Sequence, residues 1–196
     1  MTTAVKIINF GLSKLGASRV STIAPPKTNL ERYMADNYSQ WRDEELAANR
    51  WHFAMEYVQL TLTGDPVTGA GSAKPNRYQM PNDAIRPIRE KGQDWERRGR
   101  YLYSAYEELT VKFILRVSED VYDPMFVAVL SHKVAKESVE YVTQSNSKEV
   151  ARVQGYNEAI KKALKVNAFL KGSESVAGEN DQAPGEDPYS WVTSRG

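Results

Sequence analysis

Residues 77–117 read RYQMPNDAIRPIREKGQDWERRGRYLYSAYEELTVKFILRV, and this stretch decides how the rest of the chain is read. Leu109, Val111, Phe113, Leu115 and Val117 recur at every second position, alternating with Thr110, Lys112 and Arg116. A period of two marks a half-buried strand. Just before it, Arg98-Gly99 separates Trp95-Glu96-Arg97 from Tyr101-Leu102-Tyr103. A glycine between two short aromatic runs predicts a hairpin, because glycine accepts the positive φ of a tight turn. Upstream, Tyr78-Gln79-Met80-Pro81 reads as a short extended piece. Pro81 holds Met80 extended and lacks an N–H, so the piece ends at an edge or a turn.

Helical patterns flank this stretch. Ala4, Ile8, Leu12 and Leu15 share one helical face, with Thr2 or Thr3 available as a cap and Gly16 at the C-terminal stop. Residues 20–26 form a linker ending in Pro25-Pro26. Thr28-x-x-Glu31 has the form of a capping box and opens a second helix predicted to reach Arg50. Its stripe is Leu30, Met34, Tyr38, Trp41 and Ala48, and the two aromatics read as packing residues rather than a base-stacking pair. Residues 51–62 lose the helical period and predict a strand beginning at Phe53. Residues 64–76 are rich in Gly and Pro, without the spacing of a phosphate-binding loop.

Beyond the strand, Asp123-Pro124 starts a third helix with Val127, Leu130, Val134 and Tyr141 on one face. A tight turn at 144–146 leads to a fourth, capped by Ser147 and ending near Lys171-Gly172. Its predicted packing face is Val150, Val153, Asn157, Ile160, Leu164 and Ala168. The expected fold is therefore mainly α. It is a bundle of about four helices with a small antiparallel β excursion between helices 2 and 3, over about residues 53–117. Residues 1–172 form one domain, and 173–196 form an extended, flexible docking tail.

Composition narrows the function classes. The chain has 196 residues, 41% of them hydrophobic, and a net charge of +1. Cysteine is absent, which excludes disulfides and thiolate metal sites. No run approaches the ~20 apolar residues of a membrane span, so a soluble intracellular or virion protein is expected. The two histidines, His52 and His132, lack metal-ligand spacing, and no nucleophile or dinucleotide motif occurs. No catalytic, cofactor or metal site is expected.

Charge is divided unevenly. Residues 171–196 carry two basic and five acidic side chains, −3 net, which leaves +4 on the first 170. The strand region holds Arg77, Arg86, Arg89, Lys91, Arg97, Arg98 and Arg100 against Asp83, Glu90, Asp94 and Glu96. Arg97, Arg98 and Arg100 at the hairpin tip, with Lys74 in the preceding loop, read as a solvated face or inter-subunit ion pairs ahead of polyanion contacts. The polar tail ends in Tyr189, Trp191 and Arg195, and the two aromatics there read as anchors for a partner's pocket or, equally, as chance or as docking on the chain's own body.

Trp51 and Phe53, then Tyr78, Pro81 and Asp83, then Arg98, Gly99, Tyr101, Leu102 and Tyr103, taken in that order, resemble a phage family. It is the head–tail connector adaptors of tailed phages, including the tail tubular protein A of short-tailed phages. The resemblance spans roughly residues 30–170 in order of elements and about a dozen positions in identity. It implies a structural virion protein at the head–tail interface. Such adaptors form a ring, typically of twelve copies, between the portal protein and a downstream tail or nozzle protein. DNA passes through the lumen without sequence specificity. The resemblance also implies that the C-terminal segment reaches the portal, which would make Tyr189, Trp191 and Arg195 portal-docking residues. It would place Arg97, Arg98, Arg100 and Lys74 in DNA-channel or inter-subunit contacts. The chain departs from the family pattern in its first thirty residues and in the 64–76 loop. The alternative reading is a nucleic-acid-binding module using the basic hairpin at 97–100.

Overall fold

The computed structural model describes residues 2–64, 73–143 and 146–175. Helix α1 spans Ala4–Leu15, with Thr3 Oγ1 accepting the Lys6 N–H at 3.3 Å. It buries Ile7, Ile8, Leu12 and Leu15. Helix α2 spans Asn29–Ala48, and both halves of the predicted capping box form between Thr28 and Glu31. It ends two residues short of Arg50, because Asn49 turns extended at φ −132°, ψ 166°.

Six strands follow: β1 (Met55–Leu60), β2 (Asn76–Gln79), β3 (Ala84–Ile88), β4 (Trp95–Arg98), β5 (Tyr101–Ser104) and β6 (Leu109–Leu115). They make two three-stranded antiparallel sheets, ordered β1-β6-β3 and β2-β5-β4. The expectation of a mainly α bundle with one small β excursion is thereby overturned. With 51% of the described residues helical and 20% in strands, the β part is a second half of the architecture, and the fold is a mix of α and β. Strand β3 escaped the sequence reading because AIRPI contains Pro87 and too few alternations. Pro87 is tolerated because β3 is an edge strand, where a missing N–H can face outward. Strands β2 and β4 have four residues each, too short to show a period, and exist through pairing with β5. The predicted hairpin turns at Gly99, whose φ of 60° favours glycine.

The strand expected from Phe53 starts at Met55. His52–Ala54 form a single 3₁₀ turn that sends Phe53 into an aromatic cluster with Trp51, Tyr122 and Phe126. Helix α3 (Pro124–Thr143) starts where Asp123 Oδ1 accepts the Met125 N–H at 2.7 Å. It buries Phe126, Val129, Leu130, Val134 and Val139, while Tyr141 is left exposed and stacked on Tyr33, with centroids 3.9 Å apart. Helix α4 (Asn146–Ser175) begins one residue before the predicted cap Ser147 and continues beyond Gly172. Its predicted face is rotated in the fold. Val150, Asn157, Leu164 and Ala168 face outward, whereas Ala163 is buried and Tyr156, Ala159 and Ile160 pack on the core. The turn residues 144 and 145 lie outside the described residues.

The layers follow from β6, on which Val111, Phe113, Ile114 and Leu115 are all buried. Ile114 and Ile88 face the helices and join the core of Ile7, Leu12, Met34, Trp41, Phe126 and Leu130. Val111, Phe113 and Leu115 face the other sheet and pack with Tyr78, Trp95 and Leu102. The sheet β1-β6-β3 is thus a middle layer, with helices on one side and β2-β5-β4 on the other. Two polar ties hold the helical side: Arg86 Nε donates to Ala47 O at 2.8 Å, and Arg116 pairs with Asp43.

Candidate interaction surface

The outer sheet alternates except at Arg97, which pairs with inward Leu102 yet is exposed beside the turn. Asn76, Tyr78, Trp95, Leu102 and Ser104 face inward, and Arg77, Gln79, Glu96, Arg98, Tyr101 and Tyr103 face out. Cross-strand neighbours then place each outward tyrosine under an arginine. The Arg77 guanidinium lies 5.0 Å from the Tyr101 ring centroid, and that of Arg98 lies 5.1 Å from Tyr103. At the inward side of the same sheet, Arg89 lies 4.6 Å from the Trp95 ring and donates to Trp95 O. Each such contact adds about 0.5–1 kcal/mol at exposed sites.

The four sequence-predicted basic residues are not equivalent. Arg98 makes a two-pronged pair with Glu96, both contacts at 3.2 Å. Those hydrogen bonds hold Glu96 below its ordinary range. Lys74 pairs with Asp94, which puts it at the start of β4, the opposite end from the turn. Arg97 Nε donates to Gly99 O at 3.1 Å, and Arg100 Nη2 donates to Pro81 O at 2.8 Å. Among the described residues these two cations have carbonyl partners and no acidic one. The tip charge therefore rests on Arg97 and Arg100. Tyr189, Trp191 and Arg195 lie outside the described residues, as does most of the 64–76 loop.

Two features were missed by sequence reasoning. The first is a cavity of ≈ 160 Å³ between the 3₁₀ turn, α3 and α4, lined by Trp51, Phe53, Val121, Met125, Ala163 and Leu170, with His52, Asp123 and Asn167 as its polar members. Asn167 ties α4 down beside it: its Oδ1 accepts the His52 N–H at 2.9 Å and its Nδ2 donates to Arg50 O at 2.8 Å. The signal available in the sequence was the aromatic pair Trp51 and Phe53, but the walls come from three separate segments. The second is the burial of two carboxylates on α2, Glu31, which the sequence placed only in a capping box, and Glu45. Glu31 accepts five hydrogen bonds, from Ser21 Oγ and from the backbone N–H groups of Ser21, Thr22, Lys27 and Thr28. Led by the Ser21 hydroxyl, these hold its pKa at about 2. Glu45 is 2% exposed and has one oxygen bonded by Tyr156 at 2.7 Å and one without a partner. Burial pushes it above the ordinary carboxylate range, against the pull of the Tyr156 hydroxyl.

Among the described residues, no cluster of His, Cys, Asp or Glu could hold a metal ion, and no helix is long and apolar enough to cross a membrane. Tyr38 and Trp41 are in the helical core at 3% and 7% exposure, which makes them packing residues. No protein-family model matches the chain, and no curated protein matches it.

Proposed function

We propose that the chain is a structural, non-catalytic adaptor of the head–tail connector of a tailed phage. In this reading, copies assemble as a ring, with twelve the number the resemblance implies. The ring joins the portal protein to a downstream tail or nozzle protein and leaves a lumen for DNA. One observation carries the reading. The residues on which the resemblance rests are joints and tips of a single β region. Trp51 and Phe53 sit where α2 hands over to β1, Pro81 and Asp83 turn the chain between β2 and β3, and Arg98, Gly99 and Tyr101 form the outer hairpin. Asp83 O accepts the Arg116 N–H at 2.8 Å, which locks that turn to the end of β6. A resemblance scattered over unrelated surface positions would lack this coherence.

Native mass spectrometry tests the proposal, with the protein alone and mixed with the portal ring encoded by the same genome. Stoichiometric addition of copies to the ring is expected, even if the free protein is a monomer. A chain that ignores the portal overturns the adaptor role.

A second reading is supported by the uncompensated charges of Arg97 and Arg100, which suit a polyanion contact in a DNA channel or in a separate nucleic-acid module. DNA affinity should then fall steeply with salt. The Arg97→Ala/Arg100→Ala double variant should lower the slope of log K against log salt by about two, one for each phosphate no longer neutralised. Binding that is absent at low salt removes both forms of this reading.

A further inference from the structure

The ≈ 160 Å³ cavity beside Trp51 has apolar walls contributed by the 3₁₀ turn, the start of α3 and the end of α4. About 150 Å³ of apolar space accepts a benzene-sized ring, and the rim is open at Val121, so the six-membered ring of an indole can enter while the rest of the indole lies at the mouth. A buried indole also needs an acceptor for its N–H. Asp123, in the lining, is a carboxylate with one oxygen engaged by the Met125 N–H.

We propose that in the free chain this cavity is the seat of the chain's own Trp191. Three facts select that occupant. First, reach: Leu170, a wall of the cavity, lies five residues before Ser175, where α4 is last described, which is about 7–8 Å along the helix. The fifteen residues between Ser175 and Trp191 span up to ~50 Å when extended, ample for a return. Second, charge: residues 176–196 carry four acidic side chains and one basic one, and Lys162, exposed on α4, lines the groove between α3 and α4 that adjoins the cavity. Third, chemistry: Tyr189 and Trp191 are the only aromatics after Phe169, and Trp191 alone combines a large apolar face with a single N–H donor for Asp123. The contact concerns the free protein and does not depend on the portal, so its failure and that of the adaptor reading are separately visible. If both hold, portal and cavity compete for the same tail.

The experiment uses the full chain labelled with 5-fluorotryptophan, which gives four ¹⁹F resonances from Trp41, Trp51, Trp95 and Trp191. Trp191→Phe assigns the fourth. The Trp191 resonance is expected away from the position of a free fluorotryptophan and unchanged by dilution. Val121→Asp, at a rim residue that is 53% exposed, should return it to the free position while the Trp41 and Trp95 lines stay in place as a check on folding. A Trp191 line already at the free position overturns the proposal. So does a displaced line that Val121→Asp leaves unmoved, which means a seat elsewhere. A displaced line that dilution returns to the free position also overturns it, in favour of a second copy as host.

Discussion

Two glutamates on α2 respond to pH in opposite directions, and the reason is what surrounds each carboxylate. Glu31 is held at about 2, led by the Ser21 hydroxyl and the Ser21 and Lys27 amides, against 4.5 when unperturbed. A depressed folded pKa adds stability that is fully present above the unfolded value and is lost as pH falls. Glu31→Gln should therefore destabilise the protein at pH 7, with the deficit fading between pH 4.5 and about 2. Urea unfolding of parent and variant across that range measures it, and a deficit independent of pH would show that packing rather than charge is responsible. Glu45 is raised, chiefly by burial. A raised acid costs stability once pH exceeds the unfolded value. Glu45→Gln keeps an oxygen to accept from Tyr156 and removes the buried charge. It should raise the urea midpoint at pH 7 and make little difference below pH 4.5.

At the scale of elements, α1 and α3 approach closely because Gly11 has no side chain. A Cβ there would meet Val134 Cγ1 at 2.7 Å and Ser131 O at 2.9 Å. Alanine gains ~1 kcal/mol of helix propensity over glycine, but overpacking costs about 1–3 kcal/mol and a rigid backbone carbonyl cannot give way. Gly11→Ala should lower stability by up to roughly 2 kcal/mol net on those figures. Chemical denaturation checks the sign; a stabilised variant would mean that the two helices separate freely. The elements themselves were legible where local chemistry is strong. Thr3, the Thr28–Glu31 box, Asp123 before Pro124, Gly99 and the β6 alternation all do in the structure what their residue types dictate. Helix α4 was misread in rotation because apolar residues occupy more than one of its sides, so that periodicity alone does not choose a packing face. Its partner α3 chooses, bringing Tyr156, Ala159 and Ala163 inward and leaving Phe169 80% exposed.

At the scale of the whole molecule, α4 extends to Ser175, so a tail deletion should begin at residue 176 rather than 173 to spare the helix. Removal of 176–196 is expected to leave the thermal midpoint within a few degrees and to abolish retention on an immobilised portal ring. Undiminished retention would rule out the tail as the docking element. The basic tip was only partly legible as a candidate site. Sequence counts charges, but Glu96 on the same strand face neutralises Arg98, and Asp94 neutralises Lys74. The distinction of Arg97 and Arg100 needed the register of the hairpin.

By itself the sequence determined the starts of α1, α2 and α3, the hairpin turn and the inward face of β6, because each depends on residues within a few positions of one another: a cap, a glycine with positive φ, an alternation. Tertiary structure alone decided that six strands form two sheets, that the middle sheet has helices on one face and a second sheet on the other, and that Trp51, Asp123 and Leu170 wall one cavity. Short strands such as β2 and β4 are too brief to carry a period and owe their existence to a paired neighbour. A cavity is a property of the space between segments, 119 positions apart in the case of Trp51 and Leu170, and no local pattern encodes it.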